Sequence, residues 1–173
     1  MREPADLSRI QQFMRALAAE ARGDARIYFT GGATAVLHGW RLSTIDVDLK
    51  LVPERDELFR AIPAIKERLE LNVELAAPSD FIPVHPDWES RSPFIARQGS
   101  LSFHHFDLYA QALSKIERGH DRDVEDVAAL ISTGLVGRPR LAAYFALVEP
   151  NLYRFPAIDP ASFRKRVERV TGG

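Results

Sequence analysis

The sequence predicts an α/β (α+β) fold on three observations. Short β-branched and aromatic runs recur through residues 27–106, residues 45–51 alternate apolar and charged side chains without a break, and beyond residue 107 the apolar residues fall at helical spacings. A core over residues 1–106 and a helical C-terminal part over 107–173 are therefore expected, packed as one compact domain. A length of 173 residues, with 46% hydrophobic and 27% charged, suits that size.

Residues 6–21 place Leu7, Ile10, Met14, Leu17 and Ala21 at spacings of three and four behind Asp6 or Ser8, either of which can cap an amphipathic helix. Gly23 is expected to end it. Ile27-Tyr28-Phe29-Thr30 is a buried-strand run stopped by Gly31-Gly32, and residues 33–38 form a short helix closed by Gly39. In residues 45–51 the apolar members Ile45, Val47, Leu49 and Leu51 take one face of a strand, and Asp46, Asp48 and Lys50 the other. Residues 54–69 are helical, with a break or second start expected at Pro63, which lacks the amide hydrogen an inner turn uses. Residues 72–76 form a further strand.

Residues 78–93, with four prolines and Asp87-Trp88, form an irregular connection. Residues 94–97 and 101–106 flank Gln98-Gly99-Ser100 as a hairpin. Helices follow at 107–118, 121–133, 139–148 and 160–170, the first two terminated by Gly119 and Gly134.

Composition narrows the chemistry. Cysteine is absent, which excludes disulfides, zinc-thiolate sites and cysteine nucleophiles and leaves oxygen or imidazole as metal ligands. The formal net charge of -1 gives no overall basic field, so a nucleic-acid partner requires a local patch. No stretch approaches the roughly 18–20 uninterrupted apolar residues of a membrane-spanning helix. The first residues carry a Glu and an Asp and no apolar run before Ile10, unlike a secretory signal. A cytoplasmic location without membrane association is the expectation.

The informative constellation is Gly31-Gly32, thirteen intervening residues, then Asp46-Val47-Asp48. Side chains two apart on a strand share a face at roughly 6–7 Å. Two such carboxylates can close on a magnesium ion, which takes few protein ligands and completes its shell with water and phosphate. Glycines between a strand and a helix let backbone approach a phosphate, and Gly31, Gly32 and Thr34 are placed for that. A third acid, as metal ligand or base toward an attacking hydroxyl, is best supplied by Glu74, inside a strand between Val73 and Leu75; Asp80 is the reserve candidate. The plain alternative is a solvated strand face, although Asp is a poor strand former.

Phe29-Thr30-Gly31-Gly32, followed by Arg41-Leu42-Ser43-Thr44-Ile45-Asp46-Val47-Asp48, resembles the signature of the polymerase-beta-like nucleotidyltransferase superfamily. Its Arg-x-x-Thr-x-Asp-x-Asp form is similar to the minimal nucleotidyltransferases that include abortive-infection toxins of toxin-antitoxin pairs. Residues 107–126, with Lys115-Ile116-Glu117-Arg118 and Arg122-Asp123-x-x-Asp126, also look like the helical part of those proteins. The resemblance covers under half of the chain. It implies a mixed β-sheet backed by helices, dependence on magnesium or manganese, and transfer of a nucleoside monophosphate from a nucleoside triphosphate to a hydroxyl on RNA, such as tRNA, or on protein. By position it makes Asp46 and Asp48 metal ligands, Gly31 and Gly32 the phosphate turn, and Lys115 a triphosphate contact. It also raises an antitoxin partner. Many relatives carry Asp where this chain offers Glu74, and some have lost catalysis.

Residues outside the signature have two readings each. Lys115 shares a helical face with Leu108 and Ala112 and either reaches inward or belongs to an ion pair between helices; Asp123, aligned with Val127 and Leu130, either orients Lys115 or Arg122 or belongs to that pair. Arg41 either clamps a phosphate or lies on the surface. His104 and His105 face opposite ways on a strand, against a shared metal site. His38 is read as a packing histidine, and Trp40 and Trp88 as packing rather than base-stacking residues. Arg164-Lys165-Arg166 with Arg169, Arg138, Arg140 and Arg154 either contacts an RNA acceptor or decorates a solvated helix. The rival functions are a nucleotide-binding or protein-interaction module without catalysis, and a phosphohydrolase using the same carboxylates.

Overall fold

The computed structural model describes residues 2–173, and the chain divides into two compact units. The first comprises residues up to Ala77 together with Ser92–His105; the second comprises Pro78–Arg91 and Phe106–Gly173.

The first unit runs β1 (Ala5–Asp6), α1 (Leu7–Glu20), β2 (Ala25–Thr30), α2 (Gly32–His38), β3 (Ser43–Thr44), β4 (Asp46–Val52), α3 (Asp56–Leu69), β5 (Asn72–Glu74), β6 (Phe94–Gln98) and β7 (Leu101–His105). Five strands form a mixed sheet in the order β5-β4-β2-β7-β6. β2 pairs antiparallel with β4 and parallel with β7, while β4 pairs parallel with β5. The period-2 alternation of β4 buries Val47, Leu49 and Leu51 and leaves Asp46, Asp48 and Lys50 half-buried on the opposite face. Onto the apolar face pack Ile10, Phe13 and Leu17 of α1 and Leu58, Ile62 and Ile65 of α3, with Ile27 and Phe29 of β2. Fully burying each such side chain stabilises by about 1.5–3 kcal/mol.

Asp6 caps α1 by accepting from Arg9 N at 2.9 Å, and the helix ends at Ala21, before Gly23. Ile45 lies outside β4 and is 59% exposed, so the apolar face starts at Val47 rather than at Ile45. α3 does not break at Pro63. The proline sits on its exposed side while Leu58, Ile62 and Ile65 stay buried, so burial of that stripe outweighs one missing backbone hydrogen bond. The short β1–β3 ladder, pairing Ala5 with Thr44 and Asp6 with Ser43, has no counterpart in the sequence reading. It holds the segment before β4 against the start of α1.

The second unit contains α4 (Leu108–Arg118), α5 (Asp121–Ser132), α6 (Arg138–Val148) and α7 (Pro160–Thr171), with 3-10 turns at Pro78–Asp80 and Glu149–Arg154. Phe145 and Phe163 meet edge to face at 5.0 Å, between α6 and α7. The boundary differs from the expected 106/107 division, because Pro78–Arg91 belongs with the helices. Trp88 stacks on Phe106 at 4.3 Å, His85 N donates to Tyr144 Oη at 2.9 Å, and Arg91 Nε donates to Asp107 Oδ2 at 3.2 Å. Asp107 also caps α4 through Tyr109 N, and burial raises its pKa against the opposing pull of Tyr144 and Arg91. No helix among the described residues is long and apolar enough to cross a membrane.

Candidate active site

The turn from β2 into α2 requires both of its glycines. Gly31 has φ 63° and ψ -132°, a conformation that side chains resist, and a Cβ built there would lie 3.2 Å from Asp48 Oδ2. A Cβ on Gly32 would come within 2.6 Å of Thr44 Cβ and 3.1 Å of Arg41 Nη1. Thus the Asp48 carboxylate faces one glycine, and Arg41 with Thr44 covers the other. Thr44 belongs to β3, so the ladder with β1 sets where that cover lies.

Asp46 and Asp48 share the polar face of β4. The parallel register puts Asn72 beside Asp46 and Glu74 beside Asp48, and on its other side Asp48 pairs with Thr30 of β2. Strand neighbours lie about 4.8 Å apart, so Glu74 is within side-chain reach of Asp48. Asn72 Nδ2 donates to Asp46 Oδ1, which fixes one oxygen of that carboxylate. Glu74 is exposed. The donor set is all oxygen on one face, which suits a hard divalent cation such as magnesium. Among the described residues no group of three or more His, Asp or Glu side chains is placed to hold a metal ion, so Glu74 does not join Asp46 and Asp48 as a third ligand.

Thr34, buried in α2, is engaged from below. Its hydroxyl donates to Phe29 O at 3.4 Å and lies 3.0 Å from His105 Nδ1. Burial first, then the proximity of His38 and His104, lowers the His105 pKa to about 3. His105 stacks on His38 at 4.3 Å, and His38 on Trp40 at 5.5 Å. His38 is exposed, so it caps a stack rather than filling the core. His104 points the other way, onto Tyr28 at 5.2 Å. The sequence reading weighed this pair only as a metal site. Its alternation with Leu101 and Phe103 already assigns His105 to the buried face of β7.

The remaining candidates lie in the second unit. Lys115 is 7% exposed, with Nζ 2.6 Å from Asp126 Oδ2 and 3.7 Å from Asp123 Oδ1. Asp123 takes both Nε and Nη2 of Arg118, at 2.8 and 2.6 Å; the expected Arg122 is exposed. Burial acts to raise the Asp123 pKa, yet Arg118 and Lys115 hold it below the usual carboxylate range. Asp80 ends the Pro78–Asp80 turn and is exposed.

A mixed sheet backed by helices, with a glycine turn facing strand-borne carboxylates, defines a nucleotidyltransferase-like class. Residues 5–154 match the family described as "Nucleotidyltransferase of unknown function (DUF6036)", and the chain belongs to that family. No curated protein and no solved structure matches the chain.

Proposed function

We propose that the protein is a divalent-cation-dependent nucleotidyltransferase moving a nucleoside monophosphate from a nucleoside triphosphate to a hydroxyl acceptor. The observation that carries this reading is the 3.2 Å approach of Asp48 Oδ2 to the Cβ position of Gly31. That approach brings a carboxylate to a turn whose backbone admits a phosphate.

Asp46 and Asp48 would hold magnesium or manganese, and the bound ion would neutralise charge on the phosphoryl oxygens. Gly31 and Gly32 leave the backbone open to the triphosphate, Thr34 anchors the first turn of α2 from within, and Arg41 supplies a guanidinium over Gly32. The acceptor oxygen forms a bond to the α-phosphorus as the bond to the bridging oxygen breaks, and pyrophosphate leaves. Glu74 takes the hydroxyl proton. Lys115, placed at the triphosphate by the family resemblance, is assigned here to the α4–α5 ion pair.

Calorimetric titration of nucleoside triphosphate with magnesium tests the reading. Asp46→Ala with Asp48→Ala is expected to abolish the metal-dependent heat; identical traces for wild type and variant overturn it. A second reading, a nucleotide-binding module without catalysis, is favoured by the exposure of Glu74. Label from a triphosphate entering RNA or protein in wild type but not in Glu74→Gln decides for the enzyme, and unchanged behaviour of that variant decides for the module.

A further inference from the structure

The helical unit contains a cleft of about 490 Å³ that the proposed reaction does not use. Its apolar floor is made by Ile116 of α4 and by Val127 and Ile131 of α5, and its rim carries Arg138 of α6 with Arg166 and Arg169 of α7. The volume falls within the range of small-molecule sites.

The three guanidinium groups are without a carboxylate partner among the described residues. Arg138 Nε donates to Val170 O at 3.2 Å and Arg166 Nη1 to Glu117 O, both backbone carbonyls. Arg164, on the same helix, closes on Glu149 with both Nε and Nη2 at 2.7 Å, so α7 does pair an arginine where an acid is near. Lys115 and Asp123 also line the cleft, but each is already matched, by Asp126 and by Arg118. What remains is positive. The first turn of α6 adds to it, since it contains no acid and no side chain caps it.

Three like charges gathered on one cleft repel unless an anion lies among them, and the guanidinium fork matches phosphate oxygens two at a time. Ile116, Val127 and Ile131 offer a contact surface for an apolar or planar body attached to that anion. We propose that this cleft binds a phosphorylated small molecule of nucleotide size, its phosphate on Arg138, Arg166 and Arg169 and its body against the apolar floor. None of these residues belongs to the Asp46 and Asp48 face, so the two sites fail or stand separately.

The test is titration with AMP in EDTA, where no divalent cation is free. Wild type and the Asp46→Ala, Asp48→Ala variant are expected to bind AMP equally, and Arg166→Gln with Arg169→Gln to bind it about tenfold or more weakly. Unchanged circular dichroism and melting of the arginine variant, both of whose sites are exposed, certify its fold. AMP should also bind more tightly than inorganic phosphate and shift the methyl resonances of Ile116 and Val127. The proposal is overturned by absent AMP binding, by wild-type affinity in the arginine variant, or by AMP no tighter than phosphate. A hexa-adenylate binding about tenfold or more tightly than AMP also overturns it, because the arginines then follow a strand.

Discussion

Asp48 lies against Gly31: a methyl group on that glycine would sit 3.2 Å from the carboxylate Oδ2. Gly31→Ala therefore meets two obstacles, a contact with Asp48 and a φ of 63° with a ψ of -132°. The variant is expected to lose about 1–3 kcal/mol of stability by chemical denaturation and to lose metal-dependent triphosphate binding. Wild-type values in both measurements would show that the turn relaxes without consequence.

Lys115 and Asp126 form a buried pair at 2.6 Å. Removing one partner from such a pair costs about 3–5 kcal/mol, whereas replacing both with apolar residues is often nearly neutral. Lys115→Met alone should destabilise the protein on that scale, and Lys115→Met with Asp126→Leu should recover most of the loss. A double-mutant cycle from urea denaturation checks this; additive losses would show that the two side chains act independently.

His105 makes stability depend on pH. Its folded pKa of about 3 lies below the ordinary 6.5, so the unfolded chain binds a proton that the folded chain refuses. Its contribution is complete above about pH 6.5 and is lost as pH falls toward 3, at up to about 1.4 kcal/mol per pH unit. His105→Gln should flatten the difference in unfolding free energy between pH 7 and pH 4.5, relative to wild type. Parallel curves for the two proteins would refute this assignment.

Pro63 lies on the exposed side of α3 and leaves one helical carbonyl without its backbone donor. Pro63→Ala supplies that donor and should stabilise by about 1–3 kcal/mol, read as a higher melting temperature. A lower melting temperature would mean that the proline's limit on the unfolded chain matters more than the missing bond.

What the sequence made visible was periodic or local. The alternation in residues 45–51 announced β4 and put Asp46 and Asp48 on one face, and the caps Asp6, Gly39 and Gly119 fall where they were expected. The ladder between β1 and β3 was not legible, because two-residue strands are too short to show a period. With it went the packing of Thr44 and Arg41 on Gly32, which depends on that ladder. Pro63 misled because propensity is local while the burial of Leu58, Ile62 and Ile65 is not. Residues 78–91 looked irregular because their partners, Phe106, Asp107 and Tyr144, are distant in sequence.

The second unit is built from two separate stretches of chain, and this decides how the molecule can be cut. A fragment starting at Phe106 would lack Trp88, His85 and Arg91, and one ending at His105 would carry those three side chains with nothing to rest on. Neither half is a transferable module. During synthesis the Trp88 segment leaves the ribosome well before its helices do, so the helical half can be finished only after the sheet's last hairpin has been made.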